Sequence, residues 1–185
     1  MSKSVKSYRA KTVNFILAFT EDYSTSIFKY IYAIVQEPQT AEDLMQETFL
    51  KVYEKYDSIK EANNVKSFLF RTAHNTTIDF FRKESRIKKL LNAIKMKNEA
   101  PPSTERIVVV KEEGRIILKA LKELNPSQRE VIVLRRIQGF SIKETAEILN
   151  WSEGKVKTTL HRANKNLEKI LLMGDENNEL PSIVR

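Results

Sequence analysis

Between residues 141 and 160 the chain reads Ser141-Ile-Lys-Glu-Thr-Ala-Glu-Ile-Leu-Asn150-Trp-Ser-Glu-Gly-Lys-Val-Lys-Thr-Thr-Leu160. Ser141 and Glu144 have capping-box spacing, in which each side chain bonds the other's backbone N–H and a helix begins. Ile142, Ala146 and Leu149 then fall on one face of that helix. Asn150 is among the few residues other than glycine that accept a left-handed backbone, so it can turn the chain sharply. Ser152 follows as the next N-cap, with Glu153 in the first turn, where the helix dipole favours an acid. From there Val156, Leu160, Ala163, Leu167 and Ile170 keep helical spacing. Two helices, a tight turn and a small residue, Ala146, at the crossing make a helix-turn-helix. Upstream, Asn125-Pro126 places a cap before a proline at the first helical position, predicting a helix to about Ile137 that Gly139 closes.

With that inner face assigned, the second helix of the motif turns Lys155, Lys157, Thr158, His161, Arg162 and Lys165 outward. The set suits a major groove. Arg162 or Lys157 can address a guanine edge, Thr158 and His161 can contact bases or phosphates, and the remaining lysines neutralise phosphate.

The charge balance agrees. Across 185 residues, 32 Lys and Arg stand against 24 Asp and Glu, a formal charge of +8 that favours polyanionic partners. No cysteine is present, which excludes disulfides, thiolate metal sites and a cysteine nucleophile. The only glycines are Gly114, Gly139, Gly154 and Gly174, so neither a P-loop nor a G-x-G-x-x-G turn can be written. His74 and His161 are the only histidines and no ligand set accompanies them, so no metal, cofactor or catalytic residue is expected. The apolar stretch Val13 to Phe19 is broken by Asn14 and followed by Glu21 and Asp22, so neither a signal peptide nor a membrane span is expected.

Scarce glycine, and no proline between Pro38 and Pro101, predict an all-α protein with long helices. The strong break is Asn98-Glu-Ala-Pro-Pro-Ser-Thr104, where consecutive prolines prevent helix continuation. The expected organisation is therefore two small helical domains joined by a flexible linker: 1–90, linker 91–113, a helix-turn-helix domain 114–175 and a mobile tail 176–185.

In the first domain Thr40 is the expected cap of a helix running to about Tyr56. Met45, Phe49, Val52, Tyr53 and Tyr56 have the spacing to face inward, leaving Glu42, Asp43, Gln46 and Glu47 as an acidic outer surface. Asn64 begins a second long segment, Val65 to Arg86, that interleaves Phe68, Phe70, Phe80 and Phe81 with Lys66, Arg71, Arg82, Lys83 and Arg86. Aromatics among cations can bind a nucleic-acid strand. Helical spacing nonetheless makes Phe49, Tyr53, Phe70 and Phe80 ordinary core residues, and Asp79 can pair with Arg82.

Three blocks taken together, Ala41-Glu-Asp-Leu-Met-Gln-Glu-Thr-Phe-Leu-Lys-Val-Tyr53, Phe68-Leu-Phe-Arg-Thr-Ala-His-Asn-Thr-Thr-Ile-Asp-Phe-Phe-Arg-Lys83 and the helix-turn-helix, resemble the extracytoplasmic-function sigma factors of bacterial RNA polymerase. The likeness covers most of the chain. It implies that Phe15 to Arg86 corresponds to sigma region two and Ile116 to about Met173 to region four. Asp43, Gln46, Glu47 and Phe49 then map onto the surface that docks on core polymerase. Arg71, Asn75, Asp79, Arg82 and Lys83 map onto the surface that captures the minus-10 element. The recognition helix, from Glu153 through Lys155, Lys157, Thr158, His161, Arg162 and Lys165, would read the minus-35 element. The resemblance also implies a cytoplasmic, non-enzymatic protein whose partners are core polymerase, promoter DNA and an anti-sigma factor, often membrane-anchored in the family. One departure stands out: the family often carries Phe-x-x-Trp-Leu before its Arg-x-Ala-x-Asn motif, where this chain has Val65 and Phe68.

Two other classes compete. A stand-alone helix-turn-helix regulator would explain the C-terminal half and leave the blocks from Glu42 to Lys83 without a purpose. A helical nuclease or nucleotide hydrolase would need Asp43 or Asp79 in a metal site whose other ligands the sequence does not supply.

Overall fold

The computed structural model describes residues 20–55, 64–93 and 112–174. Residues 20–35 form α1, followed by α2 (Pro38–Glu54), α3 (Val65–Ala93), α4 (Glu112–Glu123), α5 (Pro126–Ile132), α6 (Ile142–Leu149) and α7 (Glu153–Gly174). Among the described residues every regular element is helical. The ends of the expected linker are helical too, in α3 and α4, while its middle, 94–111, lies outside the described residues, as do Tyr56, residues 1–19, residue 175 and the expected tail 176–185.

The helix-turn-helix forms as its residue types require. Asn125 caps α5 through Gln128 N–H, with Pro126 at the first position. The helix then loosens into a single π turn, Val133–Ile137, and Gly139 reverses the chain at φ +76°. A Cβ there would meet nothing within 4 Å, so glycine serves the left-handed backbone and not a close approach. Both halves of the Ser141–Glu144 capping box are present, and Asn150 ends α6 at φ 54°, ψ 47°. Ser152 accepts from Lys155 N–H at 3.2 Å and starts α7.

In the first half, two expectations need correction. Thr40 is not the cap of α2: Pro38 at the first position starts the helix earlier, and the Glu37 carboxylate accepts from Gln39 and Thr40 N–H. Nor does Tyr53 face the core; it is 45% exposed, because the buried stripe of α2 runs through Ala41, Leu44, Thr48 and Val52. Asn64 caps α3 as expected, accepting from Ser67 N–H at 3.0 Å.

The two halves share one core. Ile27, Tyr30 and Ile31 of α1 and Leu69 and Phe70 of α3 join Val131, Ile132 and Leu134 of the second half in a continuous apolar cluster. At the junction α3 packs on α6. Phe70, buried, meets Phe140 edge-on with ring centroids 4.9 Å apart. Lys66 Nζ donates to Gln138 O at 2.8 Å while lying 4.6 Å from the Phe140 ring centroid. Asn64 Nδ2 donates to Glu144 Oε1 at 2.6 Å. Deeper in, His74 Nδ1 of α3 is 2.9 Å from Glu130 Oε1 of α5, both buried, with Tyr30 Oη 3.5 Å from the same nitrogen. Arg129 donates to Leu121 O and Lys122 O in the last turn of α4, to Leu124 O, and to Ile34 O near the end of α1. One guanidinium thereby satisfies carbonyls left unpaired at two helix C-termini.

Candidate nucleic-acid and partner interfaces

The open side of α2 carries a stripe set by the helical repeat: Gln39, Asp43, Gln46, Leu50 and Tyr53, all exposed. Leu50 is 65% exposed. Asp43 accepts from Gln39 Nε2 at 3.3 Å, which holds its carboxylate along the stripe. Two apolar side chains ringed by acid and amide groups are the composition of a protein-docking patch. Of the expected partner residues, Asp43 and Gln46 lie on this stripe, whereas Phe49 is partly buried against the core. Glu47 turns toward α3: it pairs with Lys51 at 2.8 Å, and Lys51 also donates to Thr76 Oγ1 at 3.2 Å. Leu50 and Tyr53 were missed because each reads as core by residue type. Their signal was angular, since both fall opposite Leu44 and Val52.

On α3, Arg71, Asn75, Asp79, Arg82, Lys83 and Arg86 share one exposed face. Asp79 and Arg82 stand 3.5 Å apart, the expected pair, with both side chains largely in solvent. A groove of about 430 Å³ between α2 and α3 is lined by Glu47, Lys51, Asp79, Phe80, Lys83 and Arg86. Phe80 is partly buried against the core there, so it is the cations around it that suit a phosphate-bearing strand. Arg71 and Asn75 open instead onto a second cleft, of about 650 Å³, whose other wall is Lys143, Asn150 and Trp151 of the helix-turn-helix. Phe68 is partly buried against the core, so it does not present a free stacking face.

On α7 all seven expected residues, Glu153, Lys155, Lys157, Thr158, His161, Arg162 and Lys165, are exposed, while Val156, Ala163 and Leu167 are buried beneath them. Lys155 Nζ lies 3.8 Å from the centroid of the Trp151 ring, which fixes it at the start of the helix. Lys157 and Glu153 are 4.0 Å apart. The face is thus cationic, continuous and held by a rigid core, which is what reading a groove demands. His74, by contrast, is a packing residue at the junction. Among the described residues no group of three or more His, Asp or Glu could hold a metal ion, and no helix is long and apolar enough to cross a membrane.

Comparison with known proteins matches both halves of the chain. Residues 19–87 match the sigma-70 region 2 family and residues 114–167 match sigma-70, region 4. The chain is 34% identical over 167 residues to the ECF RNA polymerase sigma factor SigX of Bacillus subtilis, covering 84% of this chain and 86% of that protein. It is 32% identical over 152 residues to the RNA polymerase sigma factor YlaC of the same organism, covering 80% and 86% respectively. Among solved structures it resembles the sigma factor RpoE of Bartonella quintana, seen in complex with the anti-sigma factor NepR, with TM-score 0.67 and 25% identity over 85% of this chain and 99% of that one. The fold is also that of CnrH, with TM-score 0.62 at 22% identity over 86% of this chain and 89% of that one. A stand-alone regulator does not account for the region 2 match. Matched by the region 2 and region 4 families in that order and 34% identical to an ECF sigma factor over most of both chains, the chain belongs to the extracytoplasmic-function sigma factors, the promoter-recognising subunits of bacterial RNA polymerase.

Proposed function

We propose that Asp43, Gln46, Leu50 and Tyr53 form the core-polymerase contact, with Glu47 and Phe49 at its edge. Arg71, Asn75, Asp79, Arg82 and Lys83 engage the minus-10 element, and the α7 face from Glu153 to Lys165 reads the minus-35 element. The single observation that carries this reading is the alignment of Arg71 to Arg86 on one exposed face of the helix that follows the docking helix.

No catalytic group is needed. Polymerase adds nucleotides, and this chain contributes binding energy that offsets the few kcal/mol of unstacking when a base of the non-template strand is held out of the duplex. Asp79 orients Arg82 through their pairing. Fixing register upstream through α7 raises the effective concentration of the minus-10 surface at its target, so two modest interfaces act as one. The protein works in the cytoplasm, and an anti-sigma factor is its inhibitory partner. NepR bound to a 25% identical structural relative supports that last assignment.

The test is permanganate footprinting of a promoter selected by the chain with core polymerase. Open-complex reactivity near minus 10 should fall at least tenfold in Arg71→Ala with Arg82→Ala, with core binding unchanged. Undiminished opening by the double variant would remove α3 from the minus-10 site.

A further inference from the structure

Glu47 stands between two surfaces. It follows Gln46 of the docking stripe, yet its carboxylate lines the groove between α2 and α3, 2.8 Å from Lys51 Nζ. The same ammonium donates to Thr76 Oγ1 of α3 at 3.2 Å. Thr76 is buried, which gives Lys51 an anchor on the far helix independent of Glu47. An ammonium has three donors, and these two partners leave one hydrogen over. Arg82, Lys83 and Arg86 line the same groove, with Asp79 as a second acid. Both acids are engaged, Asp79 with Arg82 at 3.5 Å and Glu47 with Lys51. A phosphate taking the remaining hydrogen of Lys51 would share one nitrogen with the Glu47 carboxylate, and two anions that close repel.

We propose that Lys51 is a further strand-binding residue of the minus-10 surface and that Glu47 gates it: in the free chain the carboxylate occupies the ammonium, and docking on core polymerase draws Glu47 away, so that a backbone phosphate of the non-template strand takes its place. The inference rests on the reading of α2 as the core contact and of α3 as the minus-10 surface. Exposure fits such an exchange, because the Glu47 side chain is half exposed and can turn toward a partner on the stripe without movement of α2. A solvent-exposed pair one turn apart on a helix holds weakly, so parting it costs little. Among the described residues the groove carries four cations against two carboxylates, and turning Glu47 outward leaves Asp79 as the remaining acid. Linkage is reciprocal: if docking frees Lys51 for the strand, a bound strand favours docking by the same factor.

Strand affinity is measured on the full chain, free of polymerase, with a dye-labelled single-stranded oligonucleotide carrying the non-template minus-10 sequence of a selected promoter. Lys51→Met should weaken binding by about threefold or more, and Lys51→Arg, which keeps the charge, should retain it. Glu47→Gln should tighten binding by about threefold in the native background and change nothing when combined with Lys51→Met, since the gain passes through the freed ammonium. Equal gains in both backgrounds would overturn the proposal, because the carboxylate would then act only as diffuse charge. On core polymerase the advantage of Glu47→Gln over the native chain should vanish, and an advantage that persists there would defeat the exchange. Arg82→Ala separates this inference from the reading beneath it. Strand binding weakened by Arg82→Ala but untouched by Lys51→Met would remove Lys51 alone. No loss from either variant would overturn the minus-10 assignment, and the proposal with it.

Discussion

Leu44 and Leu50 lie six residues apart on α2 and face opposite ways: Leu44 is 4% exposed and Leu50 is 65% exposed. The same residue type therefore serves packing on one side and an open patch on the other. Leu44→Ala should cost about 2–5 kcal/mol of stability by leaving a cavity. Leu50→Ala should change stability by less than about 0.5 kcal/mol and weaken core-polymerase binding by about 1–2 kcal/mol. Chemical denaturation and binding titrations on both variants separate the two roles. Unchanged core affinity in Leu50→Ala would remove that residue from the contact.

Asp43 on the stripe and Glu47 at its edge act through charge. Asp43→Lys with Glu47→Lys should impair assembly with core and leave helicity and melting intact, since both side chains are exposed. The loss should shrink as salt rises, because exposed charges are screened within about 10 Å at 0.1 M. A salt-independent loss would point to misfolding of α2.

Base reading and phosphate neutralisation on α7 have different signatures. If Arg162 makes a bidentate guanine contact, Arg162→Ala should weaken the selected minus-35 sequence by about 1–3 kcal/mol and relax preference at one position. Lys165→Ala should weaken all sequences alike and lower the salt slope by about one. Mobility shifts across a minus-35 library measure both. Equal losses on every sequence from Arg162→Ala would reassign it to phosphate.

Much of this architecture was legible from residue types whose physics is local. Ser141, Glu144, Asn150, Ser152 and the Asn125-Pro126 pair each determine backbone geometry within four residues, and each stands where expected. The start of α2 was misplaced because Thr40 and Glu37 are both competent caps, and Pro38 decides between them by suiting the first helical position. The outward turn of Tyr53 was hidden for a different reason: aromatic character signals burial, and only the phase of the helix set by Leu44, Thr48 and Val52 overrules it. The junction was illegible altogether. Nothing near His74 in sequence announces Glu130, since the pair forms only when two helices from different halves meet.

The turn itself makes a stability prediction. Asn150 sits at φ 54°, where β-branched side chains are strained, so Asn150→Val should destabilise the chain by about 1–2 kcal/mol while Asn150→Gly stays near neutral. Ser141→Ala removes the cap and should cost about 0.5–2 kcal/mol. Thermal melting of the three variants checks the order. Asn150→Val as stable as the native chain would contradict the left-handed turn.

Acid should act on the same cap. The backbone N–H of Ser141, first, and then its hydroxyl, Asn64 and Lys66 hold the Glu144 carboxyl below its usual range. A lowered carboxyl contributes stability above its unfolded pKa, and the contribution is lost as pH falls through the folded value. The native chain should therefore exceed Glu144→Gln in stability at neutral pH and lose that margin below about pH 4. Since Glu144 is only partly buried, the margin is small. A margin that persists unchanged into acid would show that the carboxylate is not the source.

The central claim is that both helical units act together as a promoter-specific subunit of polymerase. Its most direct measurement is transcription from a randomised promoter library by purified bacterial core polymerase, with and without the chain, followed by mapping of the start sites. New start sites that require the chain should appear, preceded by one shared pair of elements near minus 10 and minus 35. They should disappear with Asp43→Lys and Glu47→Lys through failed assembly, and with Arg71→Ala and Arg82→Ala through failed opening. Binding to core without any promoter-selective start site would contradict the account.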